Sequence, residues 1–323
     1  MRYYIRHTGK DDNDKCTSAS GIRISRRARV VREAIASLNK QNFIRTKRDN
    51  NKNNSDFDRK FSYPKHLKVE KIEMENFRME MLSLAEEKSD RVILQLHGGG
   101  YVGAFKNVYR TMAGLYSEVS GGANVLTIDY RVAPMNPYPC ALEDAFEAYE
   151  YLLDNGYSPR QIYVAGDSAG GGLALSLCHY LKDNGVELPR AIITMSPWAD
   201  LTASGPSYKD NYDIDPLFGN ESSVMIFDCP YPLDEDPTNK YISPMFGEFD
   251  GFPPMLIQVG TDEMLFSDSE IVADKAEKAG VKVRLSIYEG MFHVFQMGAT
   301  IMPESMKAWS EIGSFIRHVE RHY

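Results

Sequence analysis

The chain has 323 residues, 43 % of them hydrophobic and 25 % charged, a folded globular composition of about two domain-lengths that excludes wholesale disorder. Its 37 basic and 45 acidic residues leave a net charge of −8, which argues against a main role in holding nucleic acid. Apolar stretches such as Ala191 to Met195 fall far short of the ~18 residues of a membrane-spanning helix, and the start MRYYIRHTGKDDNDKC lacks the apolar core of a secretory signal. Cys16, Cys140, Cys178 and Cys229 lie 124, 38 and 51 residues apart with no CxxC pair, so neither a zinc site nor a disulfide framework is expected and the chain reads as reduced and cytoplasmic.

Residues 1–60 hold 16 Lys/Arg against 7 Asp/Glu, a net of +9 that leaves −17 for the remainder. Ala28, Val31, Ile35 and Leu38 recur there at helical spacing after Ser25, a candidate N-cap, and RDNNKNNSD (48–56) interrupts the pattern. One amphipathic helix with a solvated basic face and then a linker is expected. From about residue 67, short apolar runs alternate with helical patterns, the texture of a mostly parallel sheet. Strands are expected at Arg91–Leu96, Asn124–Asp129, Gln161–Ala165, Ala191–Ser196, Met255–Val259 and Val281–Tyr288, with helices near 107–119, 138–155, 168–183, 268–279 and 303–320. The 58 residues between Ser196 and Met255, rich in Tyr, Phe, Pro and Asp, exceed any ordinary connection and mark a functional insert.

Gly166-Asp167-Ser168-Ala169-Gly170 follows a strand-like run and opens a helix-like one, the context of a nucleophile elbow. A serine on so sharp a turn needs small residues two before and two after it, here Gly166 and Gly170. The helix beginning there aims backbone N–H groups at any anion that forms. His97-Gly98-Gly99-Gly100-Tyr101 comes directly after a strand, and its glycines allow a turn that presents N–H donors to an oxyanion. His97 itself reads as a residue that orders this loop. A serine needs a base, and His293, in Glu289-Gly290-Met291-Phe292-His293 between a strand and the last helix, lies in the right kind of loop. His7 and His66 precede the predicted sheet, His179 lies inside a helix, and His318 and His322 lie in or after the last one.

HGGGY (97–101), DYRVAP (129–134), GDSAGG (166–171), SPWADL (196–201) and GMFHVF (290–295), in this order, resemble the hormone-sensitive lipase family of α/β-hydrolases. The likeness runs from about residue 67 to the end of the chain. It implies a mostly parallel sheet flanked by helices under a helical cap, with the catalytic domain at 61–323 and the cap made from residues 1–60 and an insert at about 201–240. It also implies an oxyanion hole from the N–H groups of Gly99, Gly100 and Ala169. Met135 and Gly172 depart from the usual acidic residue and asparagine, which should alter surface and packing only. A larger departure is Gly260-Thr261-Asp262-Glu263-Met264-Leu265, where the family has an aspartate in a DPLxD-like stretch. Counting back about thirty residues from His293 without a gap lands on Glu263, the favoured triad acid, with Asp262 the alternative; Asp129 and Asp144 read as structural, pairing with Arg131 or backbone.

The expected reaction is hydrolysis of short- to medium-chain acyl esters through a Ser168, His293 and carboxylate triad and an acyl-enzyme, with no metal or cofactor called for. Tyr101 and, from the insert, Tyr208, Tyr212, Leu217, Phe218, Met225 and Phe227 are the candidate pocket walls. The expected partner is a small-molecule ester, with no nucleic acid and no membrane span; a homodimer is compatible with the reading. The alternatives are amide or formamide hydrolysis on the same triad, or a non-catalytic ligand-binding module of the same fold.

Overall fold

The computed structural model describes residues 3–7, 16–18, 20–46, 55–87, 89–219 and 224–323. In chain order these form β1 (Tyr3–His7), β2 (Cys16–Thr17), β3 (Arg23–Ile24), α1 (Arg26–Thr46), β4 (Leu67–Glu73), β5 (Arg78–Leu84), β6 (Val92–Leu96), α2 (Asn107–Val119) and β7 (Asn124–Asp129). There follow α3 (Cys140–Asp154), β8 (Ile162–Asp167), α4 (Ala169–Asp183), β9 (Ala191–Met195), α5 (Ser207–Asp210), α6 (Val224–Phe227), β10 (Met255–Gly260), α7 (Phe266–Lys278), β11 (Val283–Tyr288) and α8 (Pro303–His322). One nine-stranded sheet runs in the order β1-β11-β10-β9-β8-β6-β7-β5-β4; β5 is antiparallel to both its neighbours and every other pairing is parallel.

The central strands β6, β8, β9 and β10 are buried along their whole length, which is why they read as unbroken apolar runs: helices cover both faces. In α8 the buried side chains Ala308, Trp309, Ile312, Phe315, Ile316 and Val319 recur at helical spacing, and the face they form docks on the sheet. All six expected strands and five expected helices are present, with ends shifted by two residues or fewer.

Three sheet strands escaped the sequence reading. β4 (LKVEKIE) is an exposed, charged edge strand, and β5 follows it as a hairpin, so neither carries an apolar run. β1 lies in the parallel register Tyr3 to Arg284 through His7 to Tyr288 on β11, so His7 belongs to the sheet rather than preceding it and stacks on Tyr288 at 4.3 Å. At the start of α1 the Ser25 hydroxyl accepts the Ala28 N–H at 3.1 Å, an N-cap, while the Ser25 N–H and O–H both donate to Glu304 of α8 at 2.9 Å. Val31 and Ile35 pack beside the buried Ala28. The side chain of Leu38 and most of the expected polar breaker at 48–56 lie outside the described residues.

The insert after β9 is less helical than the resemblance implied. Among its described residues only the one-turn α5 and α6 are α-helical, because Pro206, Pro216, Pro230, Pro232 and Pro237 interrupt the chain and Asp and Asn side chains close turns on it. Asp215, for example, accepts the N–H groups of Leu217 and Phe218 at 2.7 and 3.0 Å. No helix among the described residues is long and apolar enough to cross a membrane.

Candidate active site

Ser168 stands between β8 and α4 with φ 53° and ψ −126°, a conformation that a non-glycine residue adopts only when its surroundings enforce it. The enforcement is steric and hydrogen-bonded together. A Cβ on Gly166 would fall 2.2 Å from the Gly170 oxygen, and one on Gly170 would fall 2.1 Å from the Leu96 oxygen, so both positions exclude any side chain. The Ser168 N–H donates to the Met195 carbonyl at 2.9 Å, and the Ser168 carbonyl accepts from Trp198 and Gly172 at 2.9 and 3.0 Å.

Beside the elbow, the loop that leaves β6 folds on itself, with Gly103 and Val102 donating to the Gly99 carbonyl at 2.7 and 3.2 Å. Among the described residues no protein acceptor takes the N–H of Gly99, Gly100 or Ala169, which leaves three backbone donors available at this corner. His97 is fully buried, stacks on Tyr130 at 4.0 Å and bonds the Gly98 carbonyl through Nδ1 at 2.7 Å. Burial pushes its pKa down to about 4, so the imidazole is neutral and orders the loop. The Gly98 N–H donates to Asp167 Oδ1 at 3.2 Å; burial of that carboxyl, partly offset by the His293 charge, pushes it up to about 7.

His293 Nε2 lies 2.9 Å from Ser168 Oγ, and His293 Nδ1 lies 2.7 Å from Glu263 Oε2. All three residues are at most 5 % exposed. Glu263 Oε1 accepts from the Gly260 N–H at 2.7 Å and from Ser196 Oγ at 2.8 Å, and Ser196 Oγ in turn accepts the Val294 N–H at 3.1 Å. The carboxylate is thus oriented from behind, and Ser196 spans the acid and the histidine loop. Asp262 points elsewhere, to Arg32 Nη1 at 3.0 Å and Ser20 Oγ at 2.7 Å.

Of the expected pocket walls, Phe218 lies against His293, with ring centroids 4.7 Å apart, and a Cβ on Gly100 would fall 2.6 Å from the Met225 sulfur. Tyr212 and Leu217 are half-buried against the core. Two of the expected walls turn inward instead. Tyr208 turns into the core, where its hydroxyl lies 2.9 Å from the Asp200 carbonyl oxygen and 3.0 Å from Asp268 Oδ2. Tyr101 has no exposed surface and stacks on Tyr231 at 3.9 Å, and Phe227 is 56 % exposed. Asp144 pairs with Arg131 at 2.6 Å, whereas Asp129 pairs with Arg78 at 3.3 Å and Ser55 at 2.7 Å and not with Arg131. Met135 is a surface residue, and Gly172 packs against the Trp198 carbonyl.

The sequence reading assigned no function to Ser196, Arg32, Asn211 or Asp215. Ser196 begins the SPWADL motif at a strand end with φ +47°, a position that could have flagged it. The other three are polar residues without a motif, and their importance comes only from what they touch.

A model of the alpha/beta hydrolase fold family matches residues 93–297. An acetyl-hydrolase of Streptomyces hygroscopicus is 37 % identical over 227 residues, 70 % of this chain and 75 % of that protein. An esterase of Acinetobacter venetianus is 36 % identical over 232 residues, 72 % and 76 % of the two chains. The crystal structure of an esterase from the bacterial hormone-sensitive lipase family superposes with a TM-score of 0.76 at 33 % identity, covering 88 % of this chain and 98 % of that one. Ser168, His293 and Glu263 stand in hydrogen-bonded sequence at the strand ends of this sheet. The chain belongs to the hormone-sensitive lipase family of α/β-hydrolases and is a carboxylic ester hydrolase.

Proposed function

We propose that this enzyme cleaves short- to medium-chain acyl esters with Ser168 as nucleophile, His293 as general base and acid, and Glu263 as the group that orients His293. The observation that carries the reading is the unbroken relay from Ser168 Oγ to His293 Nε2 and from His293 Nδ1 to Glu263. With Nδ1–H donated to Glu263, Nε2 is free to accept the serine proton. Ser168 Oγ then attacks the ester carbonyl, and the N–H groups of Gly99, Gly100 and Ala169 hold the oxyanion. Collapse expels the alkoxide, which takes the proton from His293, and leaves an acyl-enzyme. Water enters, gives its proton to Nε2 and attacks the acyl carbon; the carboxylic acid leaves and Ser168 regains its proton.

Within residues 1–60 the helix α1, together with about 201–240, acts as a cap, while β1 of the same segment belongs to the sheet. Phe218 against His293 and Met225 against Gly100 narrow the space at the reacting carbon, which favours short acyl groups. The enzyme works in the cytoplasm, a reading that rests on its cysteine usage. A homodimer built by extending the sheet on the β11 side would pair through β1, because β1 covers that edge; sedimentation of the purified chain tests for it.

Ser168→Ala tests the assignment on a series of p-nitrophenyl esters of increasing acyl length. Loss of roughly 10⁴-fold or more in kcat with an unchanged fold is expected. A folded variant that keeps most of its activity would overturn the role of Ser168, and wild-type rates that keep climbing into long acyl chains would overturn the proposed short- to medium-chain preference.

A further inference from the structure

Asp262, next to the residue proposed as triad acid, is completely buried, as is almost all of Arg32 on α1. Arg32 Nη1 donates to Asp262 Oδ2 at 3.0 Å, and Arg32 Nη2 donates to the Ile214 carbonyl in the insert. One guanidinium therefore spans three segments distant in sequence: the N-terminal helix, the loop after β10 and the insert. Asp262 Oδ1 also accepts from Ser20 Oγ at 2.7 Å and Thr261 Oγ1 at 3.1 Å, and the Asp262 N–H donates to the Met291 carbonyl at 2.8 Å.

The insert holds the same loop from its other side. Asn211 Nδ2 donates to the carbonyls of Thr261 and Glu263 at 2.9 and 2.8 Å, gripping the backbone on both sides of Asp262. Asp215 Oδ2 accepts the Met264 N–H at 2.8 Å, while its other oxygen closes the turn that sets Phe218 on His293. None of Arg32, Asp262, Asn211 and Asp215 reaches Ser168, yet all of them bear on where the Glu263 backbone sits.

We infer that Arg32 and Asp262 are positioning residues: their buried ion pair ties the N-terminal helix and the insert to the loop carrying Glu263, so that docking of the cap sets the triad geometry. This rests on the triad proposed above. The physical basis is that a carboxylate one or two bonds of freedom away from its imidazole loses its effect through small displacements, and about 1 Å can cost 10²-fold in rate. A buried charge stripped of its partner is also strongly unfavourable, so the pair holds only when all three segments are in place.

Arg32→Met, Arg32→Lys and Arg32→Met/Asp262→Asn test the inference in the full chain, with Ser168→Ala assayed beside them. Arg32→Met is expected to lower kcat on p-nitrophenyl butyrate about tenfold with KM changed less than about threefold, and Arg32→Lys to recover part of the loss. If Arg32→Met does not fold, the double variant, which leaves no unpaired buried charge, carries the test, with the same fall in kcat expected. Unchanged kcat with a raised KM would make the pair a lid fastener alone, and a lowered thermal midpoint with both constants unchanged would make it structural alone. Either result overturns the inference. Retained activity in Ser168→Ala would instead strike the underlying triad, so the two failures are separable.

Discussion

Around Gly166 and Gly170 backbone segments meet in direct van der Waals contact, whereas around Asp262 the segments meet through an arginine, an asparagine, a serine and two carboxylates. On the glycine side the geometry depends on the absence of side chains and tolerates none. On the cap side it depends on polar side chains arriving from residues 20–32 and 211–215, far away in sequence. The first kind of construction leaves a local motif; the second leaves isolated polar residues. The candidate site is therefore part backbone-made and conspicuous, part side-chain-made and inconspicuous.

The largest effect expected on the cap side is that of Glu263→Gln. An amide there removes the anion that holds the imidazole tautomer, so kcat should fall by about 10⁴-fold with little change in KM, measured by steady-state ester hydrolysis. A loss no greater than that of Asp262→Asn would erase the distinction between the carboxylate that touches His293 and the one that touches Arg32.

On the glycine side, Gly170→Ala places a Cβ 2.1 Å from the Leu96 carbonyl oxygen, and only movement of β6 or α4 can relieve it. Destabilisation of about 3 kcal/mol in urea unfolding is expected, together with loss of activity. Gly114→Ala is the matched control: it sits in α2 with open space around it, and should instead stabilise by about 0.5–1 kcal/mol. Equal costs at both sites would show that close backbone approach is not what holds this half together.

A smaller effect lies within the glycine side, between the elbow and the loop after β6. Asp167 bonds the Gly98 N–H, and its carboxyl is pushed up to about 7, chiefly by burial. Since the folded chain holds this proton more tightly than the unfolded one, the contribution is complete below about pH 4 and is lost as pH rises through about 7. His97, pushed down to about 4, acts in the opposite sense, being lost as pH falls from 6.5. The difference between Asp167→Asn and wild type isolates the first group: the variant should gain stability relative to wild type between pH 4 and pH 7. A difference independent of pH in urea unfolding would contradict the assignment.

Local sequence was enough for the α/β alternation, because strands covered on both faces by helices are written as unbroken apolar runs such as AIITM and MLIQV, and the helices between them as amphipathic periods. It was enough, too, for the elbow at Ser168 and the glycine loop at 97–100, since sterics demand those small residues at fixed offsets. The candidate base His293 was legible from its place between the last strand and the last helix. Sequence register favoured Glu263 over Asp262 but did not decide between them. Adjacent side chains leave the backbone in different directions, and which one meets an imidazole depends on the path of a loop gripped by Asn211, Asp215 and Arg32. Tertiary structure likewise decided that Tyr208 is a core residue, that β1 closes the β11 edge, and that Arg32 leaves the basic face of its helix to be buried. These outcomes rest on contacts between residues tens to hundreds of positions apart, and the energy of such a contact is absent from any local pattern of residue types.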